Sequence, residues 1–201
     1  MAKKKKDAPS ASLGTSVELN ANEILSAEFA YLAQAAFQAN EDRARVTNFY
    51  MVAVGSLIAA VVSIQFEGLP TQAIYWGFTI VFLALSAVSV LTILQLARLR
   101  RAWHSAAEAM NQIKSFYAEQ LNIAEAFAWN AENLPSKYKP GSVSHTLAVE
   151  VALLGAATAA ATILFGRLGL GLTANLWAFS GAGYVVAFAL LTWIYRRVLR
   201  D

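Results

Sequence analysis

The chain has no cysteine, which excludes disulfides and thiolate-held metals while leaving the cellular compartment open. Histidine is almost as scarce, with only His104 and His145. A metal site takes three or four ligands, and the one carboxylate at helical spacing from either histidine is Glu108, four residues after His104. Both therefore read as polar side chains near apolar segments, and no cofactor is expected. Charge is thin as well: Asp, Glu, Lys and Arg make up 14% of the residues, against about 25% in a soluble domain. No loop is built to cradle phosphate, and no nucleophile elbow is present. The glycine-rich stretch 166–171 reads as a short loop between apolar blocks. These absences point away from an enzyme.

What the sequence has is apolar length. Hydrophobic residues reach 57%, above the usual value of about 45–50%. They gather into four blocks at 47–66, 71–97, 146–165 and 173–195. About 20 residues of helix cross a hydrocarbon layer, so each block suffices. Breaks fall at Glu67-Gly68-Leu69-Pro70 and in the 166–171 loop. The expected fold is an all-α integral membrane protein with four transmembrane helices arranged as two hairpins.

Orientation follows from the cations. All but Arg167 of the 16 Lys and Arg residues lie outside the two hairpin loops. That bias places both termini and the central segment in the cytoplasm. It also accounts for the net charge of +3 without invoking nucleic acid. Aromatics suggest two interfacial belts, with Tyr75, Trp76 and Trp177 outside and Phe49, Tyr50, Trp193 and Tyr195 inside. Arg167 reads as an outer anchor. Residues 1–19, with Lys3 to Lys6, read as a disordered basic tail, because the first apolar run begins too late for a cleavable signal. The compact layout and that uncleaved basic start suggest a prokaryotic inner membrane.

Two segments continue the spans as amphipathic helices. From the capping-box-like Asn20 and Glu23, the residues Leu25, Phe29, Leu32, Ala36 and Ala39 recur at three- and four-residue steps. After the second block, Leu99, Trp103, Ala106, Met110, Ile113, Tyr117, Leu121 and Ala124 do the same. No Pro or Gly interrupts 97–134. Residues 20–133 thus form one long hairpin, a cytoplasmic coiled-coil-like stalk growing out of the first two spans. A linker at 134–145 leads to the second hairpin at 146–201. Pairing Thr47 with Ala97 sets an antiparallel register in which paired numbers sum to about 144. It puts Phe29 opposite Ser115 and brings Glu41 and Asp42 level with Arg98, Arg100 and Arg101, an expected ion-pair collar.

Within the blocks, Glu150 alone is ionisable. It is the candidate pore or pairing residue, because a charge is costly to hold in lipid. Small residues crowd 154–162 and 180–183, with Gly155, Ala159, Gly181 and Gly183 as candidate helix-packing positions. The sequence thus suggests a non-enzymatic multi-pass membrane scaffold or accessory subunit, acting as a homo-oligomer or docked to a larger membrane complex. The alternative is a homo-oligomeric channel or membrane effector gated through its stalk.

Overall fold

The computed structural model describes residues 21–63, 70–121 and 134–200, and every regular element among them is helical. The order is α1 (Ala21–Ser63), α2 (Thr71–Leu121), α3 (Val143–Gly169) and α4 (Leu176–Arg200). The basic tail, the Asn20 start, the loop at 64–69 and the stretch 122–133 lie outside the described residues.

All four helices are long and apolar enough to cross a membrane. They fall into two length classes. α3 and α4, of 27 and 25 residues, span about 40 Å at 1.5 Å per residue. α1 and α2, of 43 and 51 residues, reach about 65 and 77 Å, far beyond a hydrocarbon layer of about 30 Å.

Local chemistry sets the ends of α3. Gly141 takes φ 76°, a left-handed turn open to glycine, and leads into Ser142 as N-cap. The Ser142 hydroxyl accepts from the His145 amide at 3.3 Å, satisfying one of the donors that a helix start leaves open. At the other end the Gly171 amide (φ 70°) donates to the Leu168 carbonyl at 3.0 Å and turns the chain toward α4. Arg167 ties this loop together. Its Nη2 donates to the Ala174 carbonyl at 2.8 Å, and its guanidinium lies 4.1 Å from the Phe179 ring centre.

α2 is the central element, packing on α1, α3 and α4, while α1 touches α3 only slightly and sits at the edge. Tyr50, Ile93, Leu96, Val151 and Leu199 are fully enclosed. The helices approach closely where side chains vanish. A methyl on Gly155 would meet Ser89 Cβ at 2.6 Å and Leu191 Cδ1 at 2.9 Å. One turn on, the Ser86 hydroxyl donates to Thr158 Oγ1 at 3.0 Å, a polar clasp inside the apolar interface. Toward the hairpin-loop end aromatics take over. Phe165 stacks on Phe82 with centroids 5.6 Å apart, and Phe78 tilts against it at 4.9 Å.

Between the long helices, the expected stripe is the face that packs. Ala36 and Ala39 are buried, and Leu25, Phe29 and Leu32 are half-buried. Phe29, with Leu25 and Ser26, lines a groove shared with Ile113, Lys114 and Tyr117 of α2. The Lys114 ammonium lies 5.9 Å from the Phe29 ring centre, so Phe29 stands one position from its sequence partner Ser115. The inner aromatic belt divides differently from expectation. Phe49 and Trp193 are exposed, whereas Tyr50 and Tyr195 turn into the core. Helical phase decides this, since Phe49 and Tyr50 lie about 100° apart around α1, and Trp193 and Tyr195 about 160° apart around α4, so neither pair shares a face.

Candidate functional site

The four helices converge at the end of the bundle that carries nearly all the arginines. Continuing the α1 stripe from Ala39 by one turn reaches Arg43, and a further turn reaches Thr47 and then Tyr50. Arg43 therefore occupies a core-facing position and is only 7% exposed. Its Nε donates to the Ala39 carbonyl at 3.3 Å. On α2, Arg100 falls on the facing stripe and is 5% exposed. The two numbers obey the same antiparallel register as Phe29 and Lys114.

Arg100 organises the connection into α3. Its Nε donates to the Lys137 carbonyl at 3.1 Å and its Nη2 to the Ser136 carbonyl at 3.2 Å. Its guanidinium also lies 4.5 Å from the centre of the Trp103 ring. From α4, Tyr195 donates its hydroxyl to the Ser144 carbonyl at 3.3 Å, close enough to both arginines to feel their charge. Tyr138 completes the layer: it accepts from Arg196 Nε at 3.0 Å and meets the His145 ring edge-on at 5.5 Å.

Burial holds the Arg43 guanidinium below its ordinary pKa, and the charge of Arg100 pushes it further the same way. Burial lowers Arg100 as well. Both directions report cations held at low exposure, and that of Arg43 also reports the charge of Arg100 nearby. Farther along α2, burial also lowers His104. Arg100 and Lys137 act with burial there, while Glu108 and the Pro135 carbonyl pull the other way. His104 Nδ1 and Glu108 Oε2 stand 3.9 Å apart. No group of three or more His, Asp or Glu side chains able to hold a metal occurs among the described residues.

The four expected collar residues are not drawn together. Asp42 pairs within its own helix, 3.8 Å from Arg45. Arg101 turns to α4 and reaches the Val198 carbonyl at 3.5 Å. Glu41 and Arg98 are exposed, and neither has an ion-pair partner among the described residues. The register levels the residues along the axis, but helical phase rotates them out of mutual reach. Arg43 and Arg100, which the register also brings level, are both turned into the core, where the charge of Arg100 acts on Arg43.

Glu150 is half-buried in the third turn of α3 and makes no ion pair among the described residues. The packing glycines divide. Gly155 is an internal contact, and Gly183 lies against Ile163. Ala159 is half-buried, and Gly181 is exposed with nothing nearby. Comparison with protein-family models, with curated proteins and with solved structures finds no match to this chain.

Proposed function

We propose that this chain is a multi-pass membrane scaffold or accessory subunit, with both termini and the α2–α3 connection on the cytoplasmic side. The charge asymmetry supports the orientation, because cations are retained on the cytoplasmic face. One observation carries the scaffold reading: apolar side chains stay uncovered on the parts of α1 and α2 that overshoot the bilayer. Tyr31 is 68% exposed, and Ile24, seven residues earlier on the same face, is 51% exposed. Phe37 and Phe116 are exposed nearby. In lipid such exposure costs nothing, but in water it marks an interaction surface. The stalk therefore docks, onto further copies or onto a larger membrane complex.

A homo-oligomeric channel is the second reading, favoured by the half-buried Glu150, which has no ion-pair partner among the described residues, in an otherwise apolar block. Two measurements separate the readings. Particle mass and co-purifying proteins are determined after mild detergent extraction, for the native chain and for an Ile24→Glu, Tyr31→Glu double variant. The scaffold reading expects a complex larger than one chain that the double variant loses. A lone monomer without companions rules it out. Proteoliposomes holding the purified chain should stay electrically silent, whereas a conductance altered by Glu150→Gln would replace the scaffold by the channel.

A further inference from the structure

We propose that Arg43 and Arg100 form a binding site for a phosphate-type oxyanion at the cytoplasmic end of the four-helix junction. The lipid arm of the test relies on the membrane orientation given above, and the inorganic arm does not.

Three observations converge. First, the described residues supply no counter-charge. Among the described residues the ion pairs are Asp42 with Arg45 and His104 with Glu108, so neither buried arginine has a carboxylate. Among the described residues the pair meets backbone carbonyls, the Trp103 ring and the Tyr195 hydroxyl, all neutral. Holding two cations at 7% and 5% exposure without an anion is costly, and a charge removed from water wants a partner.

Second, the donors needed to hold an anion remain free. A guanidinium carries five N–H groups in a planar fork. Arg43 engages only Nε, and Arg100 engages Nε and one terminal nitrogen. Both Arg43 terminal nitrogens and Arg100 Nη1 therefore lack a hydrogen-bond partner among the described residues. Free forks from two helices match the several oxygens of a phosphate, which arginine binds in bidentate fashion.

Third, the surroundings fix the forks and favour a negative guest. The two carbonyl bonds and the Trp103 face anchor Arg100, and the Ala39 carbonyl anchors Arg43. Little side-chain freedom is then left to lose on binding. Arg98, Arg101, Lys137, Lys139, Arg196 and Arg197 lie at this same end, which raises the local anion concentration.

The chemistry fits an anionic phospholipid headgroup or free phosphate, and the experiment distinguishes them. Delipidated protein in a neutral detergent is melted alone, with phosphatidylglycerol, with phosphatidylcholine and with inorganic phosphate. At a hundredfold excess over Kd a bound anion raises Tm by roughly 5 °C or more. A rise with phosphatidylglycerol alone supports the site and assigns it to lipid. A rise with phosphatidylglycerol and inorganic phosphate supports it as a general phosphate site. A rise with neither overturns it, as does an equal rise with phosphatidylcholine.

Arg43→Gln should abolish the rise, while Arg98→Gln, altering an exposed arginine, keeps it. Without anion, Arg43→Gln should melt no lower than the native chain, because it relieves repulsion. A purely structural arginine would give a lower melt. Should the glutamine variant not fold, Arg43→Lys retains the charge but loses the fork, and must weaken anion binding at least several-fold by titration. An unchanged titration would overturn the proposal.

Discussion

Gly155 of α3 and Ser89 of α2 stand so close that a single methyl on the glycine would lie 2.6 Å from the serine Cβ. The Leu191 methyl of α4 closes the same gap from the far side at 2.9 Å. One absent side chain therefore sets the spacing of three helices.

Adding that methyl should be destabilising. Overpacking a filled interface costs about 1–3 kcal/mol, so Gly155→Ala is expected to lower Tm by roughly 2–12 °C. Pairing it with Ser89→Gly should recover part of the loss, since Leu191 still blocks the site. Gly181→Ala enters open space and should leave Tm within about 2 °C. Equal melts for the two alanine variants would show that the close approach does not govern packing.

The clasp between Ser86 and Thr158 predicts a smaller effect. Hydrogen bonds between helices in lipid average about 0.6 kcal/mol, so Ser86→Ala should cost at most about 1 kcal/mol. The double variant with Thr158→Val should cost less than the sum of the single changes. A double-mutant cycle in denaturant unfolding reads this coupling, and strict additivity would mean that the bond contributes nothing.

Capping at Ser142 starts α3. Ser142→Ala removes the acceptor for the His145 amide and should cost about 1 kcal/mol, while Ser142→Asp should retain most of the stability. Thermal melts of the three chains test this, and the aspartate variant matching alanine would count against the cap.

His104 makes stability depend on pH. Burial depresses its folded-state pKa below the ordinary value of 6.5, so the unfolded chain binds the proton more readily. Its contribution is fully present above pH 6.5 and is lost as pH falls through that value toward the folded pKa. Tm should therefore drop on acidification below about pH 6.5, and His104→Gln should flatten that part of the profile. Glu108→Gln removes a group that raises the folded pKa, and should steepen the acid loss. An unchanged profile in His104→Gln would assign the drop to other groups.

Absence of cysteine makes the orientation directly measurable. Single replacements Ser136→Cys and Thr173→Cys should react with a membrane-impermeant thiol reagent from opposite faces, with Ser136→Cys reached only from the cytoplasm. Labelling of both from one side would dismantle the proposed topology.

Much of the long-range layout could be read from the chain alone. Apolar run length, breaks at Pro and Gly, and three- and four-residue spacing each act locally along the backbone. They sufficed for four helices, for the two long extensions, and for an antiparallel register in which Phe29 falls one residue from its expected neighbour. Gly155 was legible as a contact for a similar reason, because a run of small residues has little else to offer in lipid.

Tertiary structure decided what depends on angle rather than level. The register brought Asp42 and Arg101 to one height, but rotation about the helix axes sent Asp42 to Arg45 and Arg101 to the Val198 carbonyl. The same rotation took Tyr50 and Tyr195 inward, left Gly181 outside, and buried both Arg43 and Arg100. Stepping four residues from Ala39 hints at Arg43, yet no count along one helix reveals that its neighbour presents a second cation there. Hydrophobic length is a property of one segment, whereas charge proximity is a property of four packed together.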